Sequence, residues 1–200
     1  MEVKQIQFQF KGTRNYIHGT DMFNGMIASC RGGNVNNLRF TIHEVVQTPV
    51  CQLYWTDIKA ELSDIADIRV RCQFVIDGSS QWMALIQSEG AITSGERYDY
   101  DEELIVTRCM IADGAIRLVH KSPYTFIENI VAMNKHMHQQ LFPGAEGRWM
   151  FTRMDLDVLC DEQENLALQF RHNMNFRLTK SDIMVGGKKI GDIYFSLVKI

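Results

Sequence analysis

The strongest constraint in this chain is an internal repeat. RFTIHEV at 39–45 and MFTRMDL at 150–156 each open a strand-like run with Phe-Thr. A Gly-centred hairpin signal follows each at nearly the same distance, Gly78 of VIDG after Phe40 and Gly187 of MVGG after Phe151. Laid end to end, both halves read as a strand, a connection containing a histidine, a helix, and four more antiparallel strands. A 200-residue chain is long enough for two units of ordinary size.

Individual elements follow from periodicity. Ile68, Val70, Cys72, Phe74 and Ile76 alternate with polar Arg69, Arg71 and Gln73, the pattern of a strand buried on one face. Asp77-Gly78 supplies a tight turn into SQWMALIQ. Strands are expected at about 4–11, 38–48, 50–58, 68–77 and 81–89 in the first half. In the second they are expected at 103–111 and 115–120, then at about 148–157, 165–176, 178–185 and 189–199. A short helix through DMFNGMIASC, capped by Thr20 or Asp21, ends at Gly32-Gly33. A longer one starts near Ser122-Pro123, ends at Phe142-Pro143-Gly144, and carries the apolar stripe Phe126, Ile127, Ile130, Met133, Met137 and Leu141. The polar, Gly- and Ser-containing stretch at 91–103 reads as a linker between unit 1–90 and unit 104–200.

Composition narrows the class. The chain is 46% hydrophobic and 22% charged with net charge −3, which is globular and carries no nucleic-acid footprint. No apolar run approaches a membrane span, and the N-terminus alternates like a strand rather than a signal peptide. A cytoplasmic location is expected, with the five scattered cysteines reduced and mostly in the core. His136 and His138 fall on different helix faces, and His43 and His172 lack ligand neighbours, so no metal is expected. Phosphate-loop and serine-hydrolase motifs are absent, and no cofactor is expected.

A strand, a helix and an antiparallel sheet wrapping that helix resemble the hot-dog fold, and two in tandem resemble the double hot-dog arrangement, an α+β pseudo-dimer. The rival architecture is a β-sandwich crossed by one long helix. The resemblance implies an acyl thioester of coenzyme A or acyl carrier protein as substrate, with the site at the interface of the two units. Further pairing into a homodimer of pseudo-dimers is compatible with it. Hydrolysis ranks first; the alternatives are a catalytically silent protein binding an acyl group or a partner, and a 3-hydroxyacyl thioester dehydratase.

His18-Gly19 resembles the His-Gly pair of thioesterases, where backbone N–H groups beside a helix start polarise a carbonyl. The acid expected nine residues later is replaced by Ile27. The second half shows the complement, with Lys121 after His120 but Glu128 and Asn129 at the acid's spacing. The resemblance thus implies one composite site. His18, Glu128 and Asn129 would be catalytic, and Gly19, Thr20, Asp21, Met133 and Met137 would bind substrate. Thr125 to Glu128 equally matches a capping box, which would occupy the same carboxylate. In hot-dog dehydratases an acid falls about fourteen residues after the histidine; Gly32 and Asn134 stand there instead. Gly186-Gly187-Lys188-Lys189 reads as a hairpin turn with two exposed lysines that could meet an acidic carrier or the coenzyme A phosphates.

Overall fold

Three glycine-bearing turns set the strand pairings. Asp77-Gly78, Asp113-Gly114 and Gly186-Gly187 all have positive φ at both central residues. That backbone matches the twist of two antiparallel strands, so each closes a two-residue hairpin. The computed structural model describes residues 1–30, 33–88, 96–160 and 163–199. It divides into unit 1, Met1–Tyr100, and unit 2, Asp101–Ile200. The division falls within 91–103, of which 91–95 lie outside the described residues, as does Gly32.

Unit 1 comprises β1 (Glu2–Gln7), β2 (Phe10–Lys11), α1 (Gly19–Ile27), β3 (Val35–Ile42), β4 (Val50–Thr56), a 3-10 turn (Lys59–Leu62), β5 (Ile68–Ile76), β6 (Ser79–Gln87) and β7 (Arg97–Tyr98). The strand expected at 4–11 is broken. β1 pairs with β4, while β2 pairs in parallel with β7. At the break Phe8 is buried, its N–H donating to the Pro49 carbonyl at 2.7 Å. α1 packs here because Gly25 lets the Phe8 ring approach; a Cβ would lie 2.7 Å from Phe8 Cε1. Thr20, Met22, Phe23 and Met26 are its buried residues, and Phe23 meets Phe40 of β3 edge-on at 5.4 Å.

Unit 2 comprises α2 (Glu103–Val106), β8 (Cys109–Ala112), β9 (Ala115–Leu118), α3 (Phe126–Leu141), β10 (Arg148–Val158), β11 (Leu166–Met174), β12 (Leu178–Val185) and β13 (Lys188–Val198). The expected strand 103–111 is half helix. The Glu103 N–H is capped by Asp101 Oδ1 at 3.0 Å, and the Thr107 and Arg108 side chains return to the Glu103 and Leu104 carbonyls. A four-residue apolar run fits either a short helix or a strand by periodicity, and these local bonds select the helix.

Element order repeats between the units, and the two Phe-Thr dipeptides fall in corresponding strands, β3 and β10. Sheet order does not repeat. Unit 1 reads β1-β4-β6-β5-β3, whereas unit 2 reads β8-β9-β11-β12-β13-β10. In unit 2, β11, β12 and β13 form a meander of antiparallel neighbours. In unit 1, β4 and β5 both run antiparallel to β6, so they are mutually parallel. The connection 57–67, holding the 3-10 turn, is long enough to cross β6.

The core of unit 2 forms around α3. Thr125 caps it, and Glu128 completes a capping box. Phe126, Ile127, Ile130, Met133 and Met137 are buried as their spacing indicates, and so are Glu128, Asn129, Asn134 and His138. His138 sits among Trp149, Phe170, Phe195 and Phe142, with ring centroids 4.6, 5.7, 5.8 and 6.1 Å away. Its Nδ1 faces the Asn134 carbonyl at 2.6 Å and so carries a proton. Neutral imidazole then accepts at Nε2 from the Thr179 hydroxyl, 2.7 Å away. Burial holds its pKa below the ordinary 6.5, opposed by the Asn134 carbonyl.

Two predictions follow from this packing. On acidification the unfolded chain protonates His138 first, so its contribution is complete above the ordinary value and is lost as pH falls through the lower folded value. Urea denaturation at stepped pH should show wild type losing more stability than His138→Gln between about pH 7 and about pH 5; parallel curves would contradict this. At Gly191 of β13, an added Cβ would run into the Asp155 carbonyl oxygen of β10. Gly191→Ala should cost about 2 kcal/mol or more, visible as a lowered melting temperature. An unchanged melting temperature would show that β10 shifts freely.

Candidate active site at the start of α1

Unit 1 gathers its polar chemistry at one place, where α1 begins. His18 is the N-cap, with extended backbone. The Asp21 and Met22 amides donate to its carbonyl at 3.0 and 3.2 Å. The Gly19 and Thr20 amides donate to nothing among the described residues. The expected cap was Thr20 or Asp21. Instead His18 is the cap, two residues before Thr20, and both side chains turn to a buried cation.

That cation is Lys11 of β2, whose side chain is 0% exposed. Its Nζ donates to Thr20 Oγ1 at 2.9 Å and pairs with Asp21 Oδ1 at 3.0 Å. The Tyr100 and Tyr98 ring centroids lie 4.3 and 5.5 Å away. The Tyr98 hydroxyl also donates to Asp21 Oδ1 at 2.7 Å. Three segments build the cluster, because the β2–β7 pairing brings Tyr98 beside Lys11. Arg97 fastens that pairing by donating to the Gly12 and Arg14 carbonyls at 2.9 and 2.8 Å.

His18 joins the cluster through Nδ1, 2.8 Å from Thr20 Oγ1. Lys11 donates to Oγ1, leaving that hydroxyl one lone pair and one proton. If the proton goes to Asp21 Oδ1, 3.3 Å away, Nδ1–H donates to Thr20 and Nε2 keeps a lone pair. The ring thus stands on the residue just ahead of two unpartnered amides. An open cleft of about 650 Å³ runs past Asp21 and Tyr98, lined also by Gln7, Gln9, Asn24 and Glu96.

The other sequence candidates lie in unit 2. Glu128 Oε2 accepts from the Thr125 N–H at 2.9 Å and the Thr125 hydroxyl at 2.7 Å. Asn129 holds the loop before α3, accepting from the Ser122 hydroxyl at 2.6 Å and donating to the Tyr124 carbonyl at 3.3 Å. Met133 and Met137 are fully buried in the core. His120 is exposed, on the rim of a groove of about 1080 Å³ that also holds Arg117, Lys121, Arg171 and the Gly186-Gly187 turn. Of the two lysines after that turn, Lys189 is held by Asp182 and Asp192 at 2.9 and 2.7 Å.

Four of the five thiols are disfavoured as nucleophiles. Burial pushes Cys30 and Cys109 up to about 11, Cys51 up to about 12, and Cys72 higher still. Among the described residues no group of three or more His, Cys, Asp or Glu could hold a metal, and no helix is long and apolar enough to cross a membrane. Sequence reasoning missed Lys11, Tyr98 and Tyr100. The available signal was a lysine closing the apolar alternation of KQIQFQFK.

Because Lys11 has no access to water, Lys11→Met should leave the Asp21 carboxylate without its cation and cost about 3 kcal/mol. Lys11→Met with Asp21→Leu should recover part of that loss in urea denaturation. A single variant as stable as wild type would show that the pair does not anchor α1.

No family model matches the chain, and no curated protein matches it significantly. Solved structures do. A candidate thioesterase II from Thermobifida fusca YX aligns over 98% of this chain and 92% of its own, with 8% identity and a TM-score of 0.54. The dehydratase domain of PpsC from Mycobacterium tuberculosis, in complex with C12:1-CoA, aligns over 98% and 93%, with 8% identity and a TM-score of 0.50. A conserved protein with hot dog fold from Alicyclobacillus acidocaldarius aligns over 96% and 90%, with 8% identity and a TM-score of 0.44. The chain is an α+β protein with the hot-dog fold.

Proposed function

We propose that this protein is an acyl-thioester hydrolase whose reaction centre is the start of α1. The observation that carries this reading is the pair of unpartnered amides, Gly19 and Thr20, next to an imidazole fixed through Thr20. The amides would donate to the thioester carbonyl oxygen and stabilise the negative charge that develops there when water adds. His18 Nε2 would take the proton from that water and return it to the departing thiolate. Lys11 and Asp21 position Thr20, and through it the ring. Its structural neighbours, a candidate thioesterase II and a dehydratase domain in complex with C12:1-CoA, agree with an acyl thioester as substrate.

The finer reading adds the double hot-dog arrangement, with Glu128 or Asn129 of unit 2 completing the site and coenzyme A or acyl carrier protein as carrier. One observation favours a second reading, a silent acyl-binding protein: the Glu128 carboxylate is engaged in its capping box.

Hydrolysis of a panel of acyl-coenzyme A esters, followed by free-thiol release, tests the proposal. His18→Gln should lower kcat/KM by about 10²–10⁴-fold. Glu128→Gln should lower it comparably only if the carboxylate takes part beyond its cap. Turnover that survives His18→Gln removes the imidazole from the mechanism. Binding without turnover across the panel selects the silent reading, and neither binding nor turnover ends the thioester proposal.

A further inference from the structure

Unit 2 carries a basic groove that the reaction proposed above does not use. It has a volume of about 1080 Å³ and lies over β9, β11 and β12. Arg117, Lys121 and Arg171 line it against one carboxylate among the described residues, Glu164. Arg117 is exposed, and its guanidinium meets no partner among the described residues. Arg171 donates to Asp182 through Nε at 2.6 Å, which leaves its two terminal nitrogens to donate elsewhere. Lys121 pairs with Glu164 at 3.1 Å, but both side chains are more than half exposed, and such a pair yields readily to a competing carboxylate.

Strand register sets these cations beside apolar side chains. Met110 of β8 stands opposite Arg117, Arg117 opposite Ala167, and Ala167 opposite Met184. Residues paired this way share one face of a sheet, so the four form a row across it. Arg171 lies further along β11, about 13 Å from Ala167. Met110 is 66% exposed, and Val119, on the groove wall, is 49% exposed. β8 is also the last strand of its sheet, with one side unpaired among the described residues. Methionine and arginine exposed together beside a free strand edge mark a surface that binds other proteins. A single phosphate or carboxylate would fill little of the groove. No Phe, Tyr or Trp lines it to stack on a nucleic-acid base.

We propose that this face of unit 2 is a docking site for an acidic, extended segment of another protein. Carboxylates of that segment meet Arg117, Lys121 and Arg171, and its apolar side chains cover Met110, Val119 and Met184. The whole chain has net charge −3, so the basic face is a local departure that steers an acidic segment to this place.

Fluorescence anisotropy with a labelled peptide of alternating glutamate and valine tests this, with a lysine–valine peptide as control. Wild type should bind the acidic peptide and not the basic one. Arg117→Glu and Lys121→Glu should each weaken binding about tenfold or more. Lys59→Glu, which reverses an exposed lysine of unit 1, should leave it unchanged. Met110→Ser should weaken binding severalfold, which attraction between charges alone would not produce. All four side chains are exposed, so the variants should melt with wild type. No binding by wild type overturns the proposal, as does binding that survives both Arg117→Glu and Lys121→Glu. Displacement of the peptide by tripolyphosphate, with affinity unchanged in Met110→Ser, would assign the groove to free polyphosphate and overturn it too. Dimerisation of wild type in sedimentation, abolished by Arg117→Glu, would assign the groove to a second copy of this chain and overturn it likewise.

Discussion

An ammonium group sealed from water needs compensation on every side, and the start of α1 is arranged to provide it. Lys11 is met by a carboxylate, a hydroxyl and two aromatic faces from two separate stretches of chain. Truncating any one of these groups weakens the compensation for the others, so the cluster behaves as a unit. One consequence is mechanical. The β2–β7 clip ties the end of unit 1 to its beginning, and the first turn of α1 is held at Thr20 and Asp21 rather than by a conventional cap. Groups that must stay fixed while charge develops nearby benefit from that kind of support.

The two units solve the same packing problem with different polar devices. In unit 1 the helix is short, and its polar anchor lies at the N-terminus. In unit 2 the helix is long, its N-terminus is closed by Thr125 and Glu128, and its polar contact with the sheet is deep, at His138 and Thr179. The histidines ahead of the two helices differ accordingly: His18 is woven into a network, while His120 is exposed.

What the sequence makes legible is what local chemistry dictates. Asp-Gly and Gly-Gly specify their turns, alternation places β5, and Thr125 with Glu128 announces the capping box. The extent of α3 follows from its stripe and from Phe142-Pro143-Gly144. Lys11 was not legible as a site residue, because its partners are distant in sequence and only the parallel β2–β7 pairing brings Tyr98 to it. ELIV carried too few residues for its period to separate helix from strand.

The exchange of β5 and β6 in unit 1 limits how the halves can be treated as cassettes. Along β4, Leu53 faces Leu85 and Cys51 faces Gln87, both from β6. In unit 2, β11 instead meets β12, the next strand in the chain, through Leu168 opposite Ile183. Grafting the β12–β13 hairpin in place of β5–β6 would set the wrong strand of the pair against β4 unless the 57–67 crossover were kept. The repeat is therefore a likeness of composition and order, and the halves are not interchangeable parts.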